Sequence, residues 1–237
     1  MDYCKTIFHV VQPGDTFYRL AQRYRTTVPE IIMRNPGINP YNLQVGTSIR
    51  ICAGKENNTM QKDEMDLNND MRYAWGQHSF WGAMLMNSLF NALENKDSVK
   101  QRLMMSPEEI GAVFAQFYPQ SVVNQLKQLL AEHVRLMEEN MQAVRDDNTM
   151  QMEETEARLY QNADQIARML ANANSKYDYE ELRHMMRKHL GLMKNTMMAD
   201  RNGQYADSVR LVDENRMLMM EMADLLTEGL LEQFYQR

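Results

Sequence analysis

The sequence predicts a small α+β domain of strand–helix–helix–strand order, joined by a linker to an all-α antiparallel helical bundle with an internal duplication. Three observations predict this. Proline and glycine punctuate residues 1–53 densely, whereas past residue 70 only Pro107 and Pro119 interrupt a long helical period. Charge and methionine divide at the same place. Residues 1–53 carry six basic against three acidic residues in a chain of net charge −6, and they hold only Met1 and Met33 of its 23 methionines. Third, sliding the chain by 56 residues lays "LKQLLAEHVRLMEENMQAVR" on "LRHMMRKHLGLMKNTMMADR" without a gap, so that Leu126/Leu182, His133/His189, Met137/Met193, Met141/Met197 and Arg145/Arg201 coincide. The domains implied are 1–53, a polar linker over 54–70, and a bundle over 71–237 with repeat units of about 121–172 and 179–233.

The first element is a strand, because Ile7, Val10 and Val11 favour extended backbone and Pro13-Gly14 ends it. Asp15 or Thr16 caps a helix whose apolar residues Phe17, Leu20, Ala21 and Tyr24 recur at spacings of three and four. Thr27 caps a second helix with Pro29 in its first turn and Ile31 and Ile32 on its buried face. "NPGINP" stops that helix. Leu43, Val45, Ile49 and Ile51, with a turn at Gly46, supply the second strand, which pairs most simply antiparallel to the first. The stretch "AGKENNTMQKDEMDLNND" is polar enough to be a flexible linker.

The runs "V-x-P-G-D-T-F-Y-R-L-A-x-R-Y", "V-P-E-I", "N-P-G-I-N-P" and "L-x-V-G-T-S-I-R-I" together resemble a LysM domain over about residues 7–52, four separated motifs agreeing in order. The resemblance implies binding of N-acetylglucosamine-containing glycans, mostly peptidoglycan and chitin, in a shallow groove between two loops. Carried onto this chain, those loops are Gly14, Asp15, Thr16 and Phe17 on one side and Pro36, Gly37, Ile38 and Asn39 on the other. A neutral acetamido sugar asks for backbone donors and acceptors and a small apolar platform, which Phe17 and Ile38 would supply. Helix capping is the alternative role for Asp15 and Thr16, and satisfying loop backbone is the expected role of Asn35. Cys4 and Cys52 sit at opposite ends of the module, where an antiparallel pair permits a bridge; two free thiols are equally open.

Beyond the linker, Trp75, Phe80, Trp81, Met84, Leu85, Leu89 and Leu93 define a first long helix. "SPEEIGAVF" opens the next, with Ser106 as cap, Pro107 in the first turn and Glu109 as the capping-box acid. Amphipathic runs then occupy about 121–145, 149–172, 179–200 and 203–233, with Asp178 and Glu181 marking one start and Asn202-Gly203 one break. The "EH...LM" and "MADLL-x-x-G" patterns resemble helical domains of uncharacterised bacterial proteins, a likeness that implies no activity.

His133 and His189 are flanked at helical spacing by leucine and methionine, so both face the core, and His78 between Trp75 and Trp81 looks similar. Hydrogen-bonded core histidines that fix helix register, with no bound metal, are the expected explanation. A metal or small-ligand site with Asp164 or Asp224 as carboxylate partner is the other, although di-iron bundles use two Glu-x-x-His units and only one, Glu181 to His184, is present. The methionines are either adaptable core filler or the lining of a groove for a protein partner.

No nucleophile elbow, phosphate loop or zinc motif appears, and no cofactor is called for. The acidic majority excludes nucleic acid as the main partner, and no run is long enough to span a membrane. The expectation is a non-catalytic protein of the cell wall that binds peptidoglycan. The start of the chain lacks the pattern of a secretory signal. LysM proteins of endospore-forming bacteria resemble this plan, which implies synthesis in the mother cell and attachment at the spore cortex or coat. A metal-binding or enzymatic helical domain targeted by the LysM module is the alternative.

Overall fold

The computed structural model describes residues 5–13, 15–24, 26–39, 43–53 and 64–235. The chain divides into two compact units, Met1–Lys62 and Asp63–Arg237, each built on its own core.

In the first unit, β1 (Lys5–Val10) pairs antiparallel with β2 (Ser48–Ala53), Ile7 opposite Ile51 and His9 opposite Ile49. Between them lie α1 (Phe17–Arg23) and α2 (Val28–Arg34). Thr16 Oγ1 accepts the Arg19 N–H at 3.1 Å, and Thr27 Oγ1 accepts the Glu30 N–H at 3.3 Å, so both helices open on a threonine. The alternation of β2 buries Ile49 and Ile51 against Val11, Phe17, Leu20, Ala21 and Ile31. Two expectations need correction. Ile32 is exposed, because neighbouring residues on a helix point about 100° apart and Ile31 already fills the inward position. Val45 is exposed too: it sits in the turn with Gly46, whose φ is +89°, and β2 starts only at Ser48. Cys52 is disulfide-bonded; the only other cysteine in the sequence, Cys4, lies outside the described residues.

The second unit is all helical: α3 (Glu64–Phe90), α4 (Lys96–Leu103), α5 (Ser106–Phe114), α6 (Gln120–Arg145), α7 (Thr149–Ala173), α8 (Tyr179–Arg201) and α9 (Tyr205–Phe234). Helix α3 begins at Glu64, inside the stretch read as linker. Leu67, Asp70, Met71, Ala74, Trp75 and His78 form one continuous buried stripe, and Glu64 and Asp66 favour the N-terminal end of the helix dipole. Residues 54–63 of the expected linker lie outside the described residues.

Helices α6 and α7 pack as one pair and α8 and α9 as another; α7 lies on α8, and α3 lies on α9 while also touching α6 and α8. Asp178 caps α8 by accepting the Glu181 N–H at 2.8 Å. The turns inside the two pairs share one backbone form. Asp147 and Gly203 both take positive φ, 56° and 71°, and the following amides, Asn148 and Gln204, donate to Ala143 O and Ala199 O. Helix α5 departs from expectation at its start. Ser106 is already its first residue and makes no cap, its hydroxyl being taken by His78, while Glu109 pairs with Arg102 at 2.9 Å.

Candidate functional site

The first candidate is the pair of loops at the end of the small unit. Gly14 lies outside the described residues. Asp15 has only 5% of its side chain exposed, and its carboxylate is fully engaged within the loop. It accepts the Gln12 N–H at 2.8 Å, meets His9 Nε2 at 2.7 Å and faces Arg23 at 3.5 Å. The Gln12 amide, helped by His9 and Arg23, outweighs the burial that opposes it and holds this carboxyl below its ordinary range. His9 Nδ1 in turn meets Tyr24 Oη at 2.8 Å, which ties strand, loop and helix together. Phe17, expected as part of an apolar platform, is 2% exposed: it supports the loop from beneath and offers no surface. Thr16 is exposed and caps α1.

On the opposite loop, Pro36, Gly37 and Asn39 are exposed and Ile38 is half-buried against the same core as Phe17. Gly37 takes φ +95°, a left-handed conformation that only glycine adopts without strain. The anchor of this loop is Asn35, which is buried. Its Nδ2 donates to Ile31 O at 2.7 Å and Arg50 O at 2.8 Å, and its Oδ1 accepts the Arg50 N–H at 2.8 Å. Asn35 therefore satisfies backbone and welds the end of α2 to β2. Pro36, Gly37 and Asn39 with the edge of Ile38 form the surface of this loop, and the Ile38 N–H is bonded to Asn35 O at 3.2 Å.

The second candidate lies in the core of the helical unit. His78 on α3, His133 on α6 and His189 on α8 are at most 3% exposed, with ring centroids 5.7 to 6.0 Å apart. One ligand atom from each falls within 4.8 Å of the other two. Each Nδ1 has an oxygen partner: Ser106 Oγ at 3.0 Å for His78, Asn162 Oδ1 at 3.1 Å for His133, Asn215 Oδ1 at 2.7 Å for His189. Burial, the largest influence, disfavours the charged imidazole at all three. It pushes His133 down to about 3, His78 well below its usual value, and His189 lower as well.

The carboxylates considered as partners lie elsewhere. Asp164 is held by Arg183 and Arg187, and Asp224 by Arg72. Most methionines of this unit, Met137, Met141, Met186, Met193, Met197, Met219 and Met222 among them, are core residues, so packing accounts for their abundance. The residues that sequence reasoning missed are Ser106, Asn162 and Asn215. The last two escape a 56-residue shift, since Asn162 falls on Leu218 and Asn215 on Leu159.

Two antiparallel strands with two short threonine-capped helices between them make a small α+β module. Residues 9–51 match the LysM domain family, so the chain carries a LysM domain at its N-terminus, followed by a predominantly helical region. The match supports binding of peptidoglycan or related N-acetylglucosamine glycans, and with it association with the cell wall. Comparison of the chain with curated proteins and with solved structures returns no match. Among the described residues no helix is long and apolar enough to cross a membrane.

Proposed function

We propose that this protein is a non-catalytic peptidoglycan-binding protein of the cell envelope, whose LysM domain grips glycan between the 14–17 and 36–39 loops and thereby anchors the helical unit. The observation that carries it is the pairing of a LysM match with the second loop's construction. Asn35 ties the base of that loop to β2, and Pro36, Gly37 and Asn39 lie at the surface with the edge of Ile38. Polar backbone and a small apolar edge suit an uncharged acetamido sugar, and a loop tied at its base lowers the entropic cost of holding it.

The cortex and coat of the endospore are the particular setting that the resemblance implies. The duplicated-hairpin architecture is supported by the matching turns at Asp147 and Gly203. Calorimetric titration of the full chain with chito-oligosaccharide tests the binding. Saturable binding is expected, with none to the deacetylated oligomer; equal affinity for both would mean that the acetamido group is not what is recognised.

A further inference from the structure

We propose that His78, His133 and His189 form a binding site for a divalent first-row transition-metal ion, with zinc(II) the ion best suited to the donor set, inside the helical unit. Three neighbouring helices each send one histidine to a common centre, and the geometry is close to that of a ligand set. Atoms no more than 4.8 Å apart have a centre within about 2.8 Å of each, and zinc–imidazole bonds are about 2.0–2.1 Å. Ring rotations that move each nitrogen by less than about 1 Å close the difference.

Orientation supports the site independently. A metal-ligating histidine characteristically donates its other N–H to an oxygen, which fixes tautomer and ring plane. At His133 the direction of that bond can be read. Asn162 donates through Nδ2 to Leu129 O at 3.0 Å, so its Oδ1 is an acceptor and His133 Nδ1 carries the proton. His189 stands in the same relation to Asn215, whose Nδ2 faces the Met193 sulfur at 3.8 Å. Both Nε2 atoms are therefore unprotonated and carry a free lone pair.

Those same two Nε2 atoms are buried with no hydrogen-bond partner. Two acceptors cannot satisfy one another, so a purely structural histidine pair would leave both unpaired, whereas nearly all buried polar atoms are paired. A cation at the centre satisfies both and takes His78 as its third ligand. Three neutral imidazoles suit zinc and its neighbours rather than calcium or magnesium, and they leave a fourth tetrahedral position for solvent. The site is separate from the glycan loops and stands whether or not these bind sugar.

The test uses the full chain, produced without a polyhistidine tag and analysed for metals by mass spectrometry. A stoichiometric first-row ion is expected. After removal of the metal, titration with cobalt(II) should give the intense visible absorption of a tetrahedral site, abolished in His133→Gln and His189→Gln and retained in His184→Gln. Asn162→Leu keeps the ligands but loses the orienting bond, and should weaken binding by about 10–100-fold. A metal-free native chain that takes up neither zinc(II) nor cobalt(II) would overturn the proposal, and a buried water would then be the occupant. Uptake unchanged by His133→Gln would overturn it equally. The titration of the unaltered chain decides the matter even if a variant fails to fold.

Discussion

Replacing Asn35 with alanine should open the small unit without touching a ligand contact. The side chain makes three short hydrogen bonds to backbone, at 2.7, 2.8 and 2.8 Å, and is only 8% exposed. Each such bond contributes about 1 kcal/mol net, and an orphaned buried partner adds to the loss, so the cost is about 3 kcal/mol. A unit of this size has little stability to spare. At 1.4 kcal/mol per factor of ten, local opening becomes about 100-fold more frequent. Hydrogen exchange of the full chain reads this directly: peptides covering Ser48–Ala53 should exchange about 100-fold faster, and peptides from α6 to α9 should not change. Asn35→Asp keeps an acceptor for the Arg50 N–H but turns a carboxylate oxygen toward the Ile31 and Arg50 carbonyls in a buried site, and should cost at least as much as alanine. An increase of less than about threefold for Asn35→Ala, roughly 0.7 kcal/mol, would refute the claim that this residue welds α2 to β2.

Three further outcomes follow from named contacts. Asp15 has a folded pKa below its unfolded value, so the native unit binds that proton less readily; its contribution is fully present above about pH 4 and is lost as pH falls through the folded value. Asp15→Asn should therefore remove part of the acid sensitivity of residues 5–24 in hydrogen exchange, and an unchanged acid profile would contradict this. A methyl group added at Gly229 would collide with Tyr177 Cε1, in a buried ring whose hydroxyl donates to Leu226 O. Gly229→Ala should thus cost about 3 kcal/mol or more in thermal unfolding. Gly111→Ala crowds Lys127 Cγ and Cδ at 2.6 and 2.7 Å and touches Val123 Cγ1 at 3.5 Å; because the lysine chain can turn aside, it should cost about 1 kcal/mol or less, and similar losses for the two would be wrong for this packing. Ile38→Ala should weaken chito-oligosaccharide binding by about fivefold, from about 1 kcal/mol of apolar contact, and unchanged affinity would remove Ile38 from the site.

Much of the fold is legible because its signals are local. Thr16, Thr27 and Asp178 cap the helices that their positions announce, and Gly46 and Gly203 sit where the backbone turns left-handed. The start of α3 was hidden because Glu64 to Asp70 is polar by composition, and only Leu67 and Met71 mark its buried stripe. Phe17 illustrates a different limit. An aromatic residue beside a binding loop reads the same whether it faces ligand or core, and the small core claimed it. Ser106 has the signature of a cap, yet its hydroxyl meets His78, 28 residues away. The meeting of three histidines depends on how α3 crosses α6 and α8, a tertiary fact with no periodicity to betray it.

The central claim, that glycan binding resides in the LysM domain, is tested most directly by sedimentation with purified peptidoglycan. The full chain should pellet with the sacculi, and a chain lacking residues 1–62 should remain in the supernatant. If the shortened chain pellets as completely as the full one, the helical unit binds the wall, and the two loops of the LysM domain are not the anchor.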